Sequence, residues 1–247
     1  MRHTLFLSIV FLLYEQLLNV PANQGACTRP PKRRAAGDAK SLDDYEAPMK
    51  IAGEVGADEW PSLRTRLEVC EARAWQEAVN ILRIRFRTRY LDHSRQLLGR
   101  QYSGFAVLAV DCAVVEALEQ FRRGEPETPR GKGQQFFRAF LTETRFKDHF
   151  SETTADLFYK TIRCGILHQA ETKEDSLVKK KKADFVVELA PSRKGLIINA
   201  RRFHEELERA LEDYATALLE GSADLRASFI RKMNYVARVQ PGVEGIV

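Results

Sequence analysis

The sequence predicts a mainly α protein, a helical bundle with one small β-hairpin inserted near residues 184–200. Three observations carry that expectation. Apolar residues recur at helical spacing through several long stretches, as in the series Trp75, Val79, Leu82, Phe86 and Tyr90. One pair of strand-like runs, DFVVEL (184–189) and GLIINA (195–200), is separated by the turn-forming APSRK. No internal repeat points to a solenoid.

Composition sets the outer bounds. At 247 residues, 44% hydrophobic and 30% charged, the chain can fill one substantial core and still carry an extension. Two parts are expected: a signal-like or disordered extension over 1–60 and a helical domain over 61–240. Within the extension, Arg2 and His3 precede the apolar run LFLSIVFLL (5–13), with small residues at Ala22 and Ala26. That is the outline of a signal peptide, and it is short for a membrane-spanning helix. The other reading is upstream translated sequence, with the true start at Met49. Residues 21–60 are rich in Pro, Gly, Ala and charge, a composition poorly able to order itself.

Within the domain, the stripe from Trp75 to Tyr90 predicts a long helix from about 63 to 98. GFAVLAVDCAVVEALEQFRRG (104–124) predicts a second, apolar on nearly every side and closed by Gly124, hence central. Asp111 and Glu116 interrupt it, and carboxylates in such a helix need partners or a cleft. After the loop EPETPRGKG (125–133), a third helix buries Phe136, Phe137, Phe140 and Leu141. A fourth spans 152–170, begun by Ser151, with Glu152 and Asp156 suiting the helix dipole. KEDSLVKKKKADF (173–185) is a polar connection to the hairpin. Asn199 caps a fifth helix over 200–221, with Phe203, Leu207, Leu211 and Leu218 spaced for burial, and a last helix covers 223–237.

Charge and cysteines narrow the function classes. The net charge of +5 is concentrated in 61–100, where nine Lys/Arg face four Asp/Glu. A local excess of that kind suits a polyanionic partner. Arg83 and Arg87 flank one side of the apolar stripe and Arg85 and Arg89 the other, so they make no single ridge. The first reading is aliphatic stems along the core edge with charges in water; RNA contact is the alternative. Lys179 and Lys180, in the run 179–182, pose the same choice between a solvated turn and a binding patch. Cys27, Cys70, Cys112 and Cys164 have no CxxC or CxxH spacing, so they suggest reduced, mostly buried thiols in a cytoplasmic protein rather than a zinc site. Export is the alternative if residues 1–22 or 1–26 are a signal. No phosphate-binding Gly-rich loop, HExxH or GxSxG is present.

One stretch does carry chemistry: FYKTIRCGILHQAET (158–172), with Arg163 and His168 five positions apart. A histidine titrates near neutrality and can take or give a proton. An arginine stays charged and offers forked donors to phosphate oxygens as negative charge builds. Together they are minimal equipment for cleaving a phosphodiester by the ribose 2′-hydroxyl, with no metal. On a straight helix they diverge by about 140°, so a kink near Gly165, a helix end or a dimer would have to bring them together. The plainer reading pairs Arg163 with Glu116 and uses His168 as a helix cap.

FYKTIRCGILHQAET resembles the Arg-x4–6-His motif of HEPN (higher eukaryote and prokaryote nucleotide-binding) domains. The order of an apolar helix with an internal acid, a loop and then the motif helix is also similar. The resemblance implies a HEPN-like bundle acting as a metal-independent endoribonuclease, with roles in prokaryotic defence or toxin–antitoxin systems. Arg163 and His168 match the family's catalytic positions. Cys164 stands where the family often has Asn or Asp. Tyr159 and Glu116 are the supporting candidates, Glu116 by orienting the arginine. RNA, a homodimer through the motif helix and a cognate antitoxin are the implied partners, with no cofactor, metal or stable membrane partner. The alternative is a HEPN-like module that binds RNA, a nucleotide or a protein without cleavage.

Overall fold

A computed structural model describes residues 49–180 and 183–239. The apolar run 5–13, RPPKRR (29–34), Cys27, Lys181 and Lys182 lie outside the described residues.

The chain is mainly helical with small strands. It begins with β1 (Lys50–Ala52) and β2 (Val55–Gly56), an antiparallel pair, then a short 3-10 turn (Ala57–Glu59). This corrects the expected boundary at 60: Ile51, Ala52 and Trp60 are fully buried. Arg85 and Arg89 tie the strand down by donating to the carbonyls of Ile51 (2.6 Å) and Lys50 (2.7 Å). Composition understated this stretch because its few apolar residues are all used.

The long helix expected over 63–98 is divided. α1 (Trp60–Glu68) stops at Val69–Glu71, where Cys70 takes a left-handed φ of 57°. α2 (Ala72–Phe86) runs through a π-helical turn (Arg87–Leu91) into α3 (Asp92–Leu98). α4 (Gly104–Arg123) follows, closed by Gly124 at φ 70°. It is the central element, packing against α3, the next helix α5 (Gly133–Glu143), and the later helices α8 and α9. Val107, Leu108, Cys112, Val115, Leu118 and Phe121 bury its length.

A 3-10 turn (Arg145–Asp148) leads to the motif helix, which has three parts: α6 (Glu152–Leu157), a π-helical turn (Phe158–Arg163) and α7 (Cys164–Gln169). Ser151 caps it by accepting from Thr154 N at 3.3 Å. Both π turns hold a threonine whose hydroxyl bonds the carbonyl four residues back, Thr88 to Ile84 and Thr161 to Leu157, each at 2.8 Å. Such back-bonding competes with the helical ladder and bends helices. Phe158 anchors the motif helix in an aromatic cluster, stacked on Phe203 (5.1 Å, 7°) and edge-on to Phe150 (5.7 Å).

The connection to the hairpin carries a strand that the sequence left unassigned. β3 (Leu177–Lys179) pairs parallel with β5 (Leu196–Asn199), and β4 (Val187–Leu189) pairs antiparallel with β5, giving the order β3-β5-β4. Its polar composition hid it, since an edge strand three residues long has no room for alternation. α8 (Ala200–Glu220) is capped by Asn199, whose side chain accepts from Arg202 N, and α9 (Ala223–Val236) completes the fold.

Candidate functional site

Arg163 leaves the π turn and points back toward α4. Its Nη2 donates to Glu116 Oε2 at 2.9 Å, and the two side chains are only 13% and 22% exposed. The guanidinium also lies over the rings of Tyr159 (5.3 Å) and Phe137 (5.7 Å). Burial works against the Arg163 charge, but the Glu116 carboxylate outweighs it and holds the pKa above its ordinary value. Arg163 is therefore a fixed, permanently charged group in a half-aromatic socket. Tyr159 is packed in this socket, edge-on to Phe137 at 5.4 Å. Gly133 opens α5 directly against it, since any Cβ there would meet the Tyr159 hydroxyl at 2.6 Å.

His168 stands in the last turn of α7 and is exposed. Its imidazole pKa is lowered, first by partial burial and then by the positive charges of Arg163 and Lys173. A neutral ring at neutral pH can accept a proton. The irregular π-helical turn spans Phe158–Arg163, whereas Gly165 lies in the α-helical part that follows. Gly165 has a different use: a Cβ there would come within 2.5 Å of Glu171 O, so the glycine admits the returning chain. Cys164 is half-buried between the two motif residues and interacts with Tyr159. The site thus joins Arg163, Glu116 and Tyr159 in one packed unit, with His168 coupled to it through charge.

The weaker RNA-contact candidates sit elsewhere. Arg83 (2.8 Å) and Arg87 (3.1 Å) both bind Glu212 on α8. Lys180 donates to the carbonyl of Arg100 and to Ser103 Oγ, which fastens β3 to the start of α4. Lys179 is half-buried in β3 and lies in register with Asn199.

A second histidine, which the sequence offers only as a surface or satisfied partly buried residue, has partners that sequence reading missed. His204 on α8 is 1% exposed, and its Nδ1 lies 2.9 Å from Asp111 Oδ1. Glu208 is 3.4 Å from the other ring nitrogen and is gripped on its outer side by Arg95. Burial opposes the His204 charge, but hydrogen bonds to Asp111 and Glu208 carry its pKa up to about 9. Burial pushes the Asp111 carboxyl up as well, so the pair holds a proton between them. Asp111 in an otherwise apolar run was the available signal; its partner is 93 residues away. A cleft of about 390 Å³ opens beyond Glu208, lined by Arg87, Arg95, Arg145 and Arg209 together with acidic residues of α8. Each arginine is matched by a carboxylate, among them Arg145 to Glu206 (2.6 Å) and Asp213 (2.8 Å). The cleft therefore presents no excess charge to a polyanion.

Among the described residues no group of three or more His, Cys, Asp or Glu could hold a metal ion, and no helix is long and apolar enough to cross a membrane. Of the three thiols described, Cys112 is buried, Cys164 half-buried and Cys70 exposed, so the expectation of mostly buried thiols holds only for the first. No family model matches the chain, and neither a curated protein nor a solved structure matches it.

Proposed function

We propose that the protein is a metal-independent endoribonuclease of HEPN type, with Arg163 and His168 as its catalytic residues. The observation that carries this reading is a largely buried, permanently charged guanidinium on the same helix as an exposed imidazole whose pKa is lowered by partial burial and by the charges of Arg163 and Lys173. Neutral His168 takes the proton of a ribose 2′-hydroxyl as its oxygen bonds to phosphorus. The P–O5′ bond breaks, and Arg163 stabilises the charge on the non-bridging oxygens. The products are a 2′,3′-cyclic phosphate and a 5′-hydroxyl end. In a homodimer formed through the motif helix, protonated His168 of the partner subunit supplies the proton to the departing oxygen. Glu116 and Tyr159 orient the arginine. A role in prokaryotic defence, silenced by a cognate antitoxin, follows from the same resemblance.

A second reading has its own support. The Glu116 ion pair and two aromatic rings already occupy much of the Arg163 guanidinium. An arginine held in that way suits a module that binds RNA or a protein without cleaving it. Mixed RNA incubated in excess EDTA separates the two. The enzyme cleaves to 2′,3′-cyclic ends, and both Arg163→Ala and His168→Ala lose cleavage with helical circular dichroism unchanged. Intact RNA, or equal cleavage in all three proteins, rules the enzyme out.

A further inference from the structure

Three features of the chain after the motif converge on one lysine. Ala170 ends α7 in the left-handed region (φ 55°), a conformation unusual for alanine, and turns the chain back along the helix. The returning segment is fastened to the motif helix: Lys173 N donates to Thr161 O at 2.8 Å, and Ser176 Oγ lies 2.8 Å from Thr161 Oγ1. It fits only because residue 165 is glycine, since a Cβ there would stand 3.2 Å from Lys173 N and closer still to Glu171 O.

Thr161, Gly165 and His168 follow one another at helical spacings of four and three, so they share a face. The segment that carries Lys173 is packed on that face. Among the described residues, no carboxylate pairs with the Lys173 ammonium, whereas Arg138, Arg145 and Arg163 are all matched to acids. The return loop thus carries a cation with no described carboxylate partner near an exposed imidazole, on a backbone fixed by hydrogen bonds.

We propose that Lys173 is a second phosphate-holding residue of the Arg163/His168 site, and that it binds a phosphate of single-stranded RNA flanking the one cleaved. Helical geometry separates the Arg163 and Gly165 directions by about 160°, with His168 about 60° from Gly165 and about 140° from Arg163. Two cations disposed in this way meet different phosphates of one strand rather than gripping a single one. The influence of Lys173 on the His168 ring is consistent with this placement. The inference rests on the endoribonuclease reading of the site, and it adds to that reading the requirement for a polynucleotide longer than a dinucleotide.

Binding of the full chain to a fluorescein-labelled oligothymidylate tests it, because that strand lacks the 2′-hydroxyl and stays intact. Fluorescence anisotropy over a salt series gives both affinity and the number of phosphates engaged. For Lys173→Gln the expected result is a several-fold weaker complex at low salt and a log–log salt slope shallower by about 0.7, the value for one phosphate on a single strand. Lys173→Arg restores both. Gly165→Ala, which displaces the loop, reproduces the Lys173→Gln loss. An unchanged slope and affinity in Lys173→Gln, or a wild-type protein that does not bind the strand, overturns the inference. RNA left intact by a wild-type protein whose slope does depend on Lys173 overturns the endoribonuclease reading alone. RNA cleavage with a slope indifferent to Lys173 overturns the present inference alone.

Discussion

His168 and His204 are the same residue type in two opposite settings. His168 is exposed at a helix end, and partial burial together with the positive charges of Arg163 and Lys173 pushes its pKa down. His204 is sealed between Asp111 and Glu208, which push its pKa up to about 9. An imidazole surrounded by cations stays neutral and can accept a proton from a ligand; one enclosed by carboxylates is locked in its charged form and joins helices. Burial, usually read as a mark of function for an ionisable group, here marks the structural histidine. The exposed one is the histidine to which the proposed chemistry is assigned.

Substitution of each ring separates those roles. His168→Ala is expected to reduce RNA cleavage about 10²- to 10⁴-fold, the usual worth of a general base, with the urea midpoint unchanged. His204→Ala should do the reverse. It leaves the Asp111 carboxyl buried without its partner and costs about 3 kcal/mol in urea denaturation. If His168→Ala unfolds the protein, or His204→Ala leaves its stability intact, the assignment of roles is inverted.

The pH dependence of stability sharpens the contrast. The folded pKa of His204 lies above its unfolded value, so its contribution is complete below about pH 6.5, the ordinary value for an unfolded histidine. It is lost as pH rises toward about 9, on the order of 3 kcal/mol by urea denaturation. His204→Ala should flatten that decline. His168 shifts the other way, and its protonation as pH falls below the ordinary histidine range should slightly disfavour the fold. Ring-proton NMR should show the two histidines titrating on opposite sides of the usual midpoint.

Arg163 comes next in size. Arg163→Met keeps the packing against Phe137 and Tyr159 but leaves Glu116 unpaired in a partly buried position, a cost of about 1–3 kcal/mol. Glu116→Gln is milder and should retain most of the fold while loosening the arginine. The smallest effects belong to Arg83 and Arg87. Both are partly exposed and share Glu212, so single Gln substitutions should change stability by less than about 1 kcal/mol. RNA affinity should not follow them.

Local signals in the sequence were read well. The caps at Ser151, Asn199 and Gly124, the hairpin strands and the buried faces of α2, α5 and α8 all follow from residue type and spacing, which are properties of neighbours in the chain. Relations between distant segments were not legible. The break at Cys70 interrupts an apolar pattern that continues through it, and the short polar strand β3 depends on β5 for its hydrogen bonds. The tie between Asp111 and His204 crosses 93 residues. At the candidate site, the Arg163–Glu116 contact was anticipated as one alternative. The return of the chain onto Gly165 was not, because a glycine in a helix does not announce what packs against it.

The pH dependence of RNA cleavage in excess EDTA, measured for wild type beside His168→Ala, bears most directly on the role given to the exposed histidine. Rates (kcat/KM) are expected to rise with pH through a midpoint below the ordinary histidine value, coinciding with the NMR titration of His168 in the same protein. The variant should lose both the rate and that limb of the profile. RNA untouched by the wild type at every pH, or a variant with the wild-type rate and profile, would contradict the account.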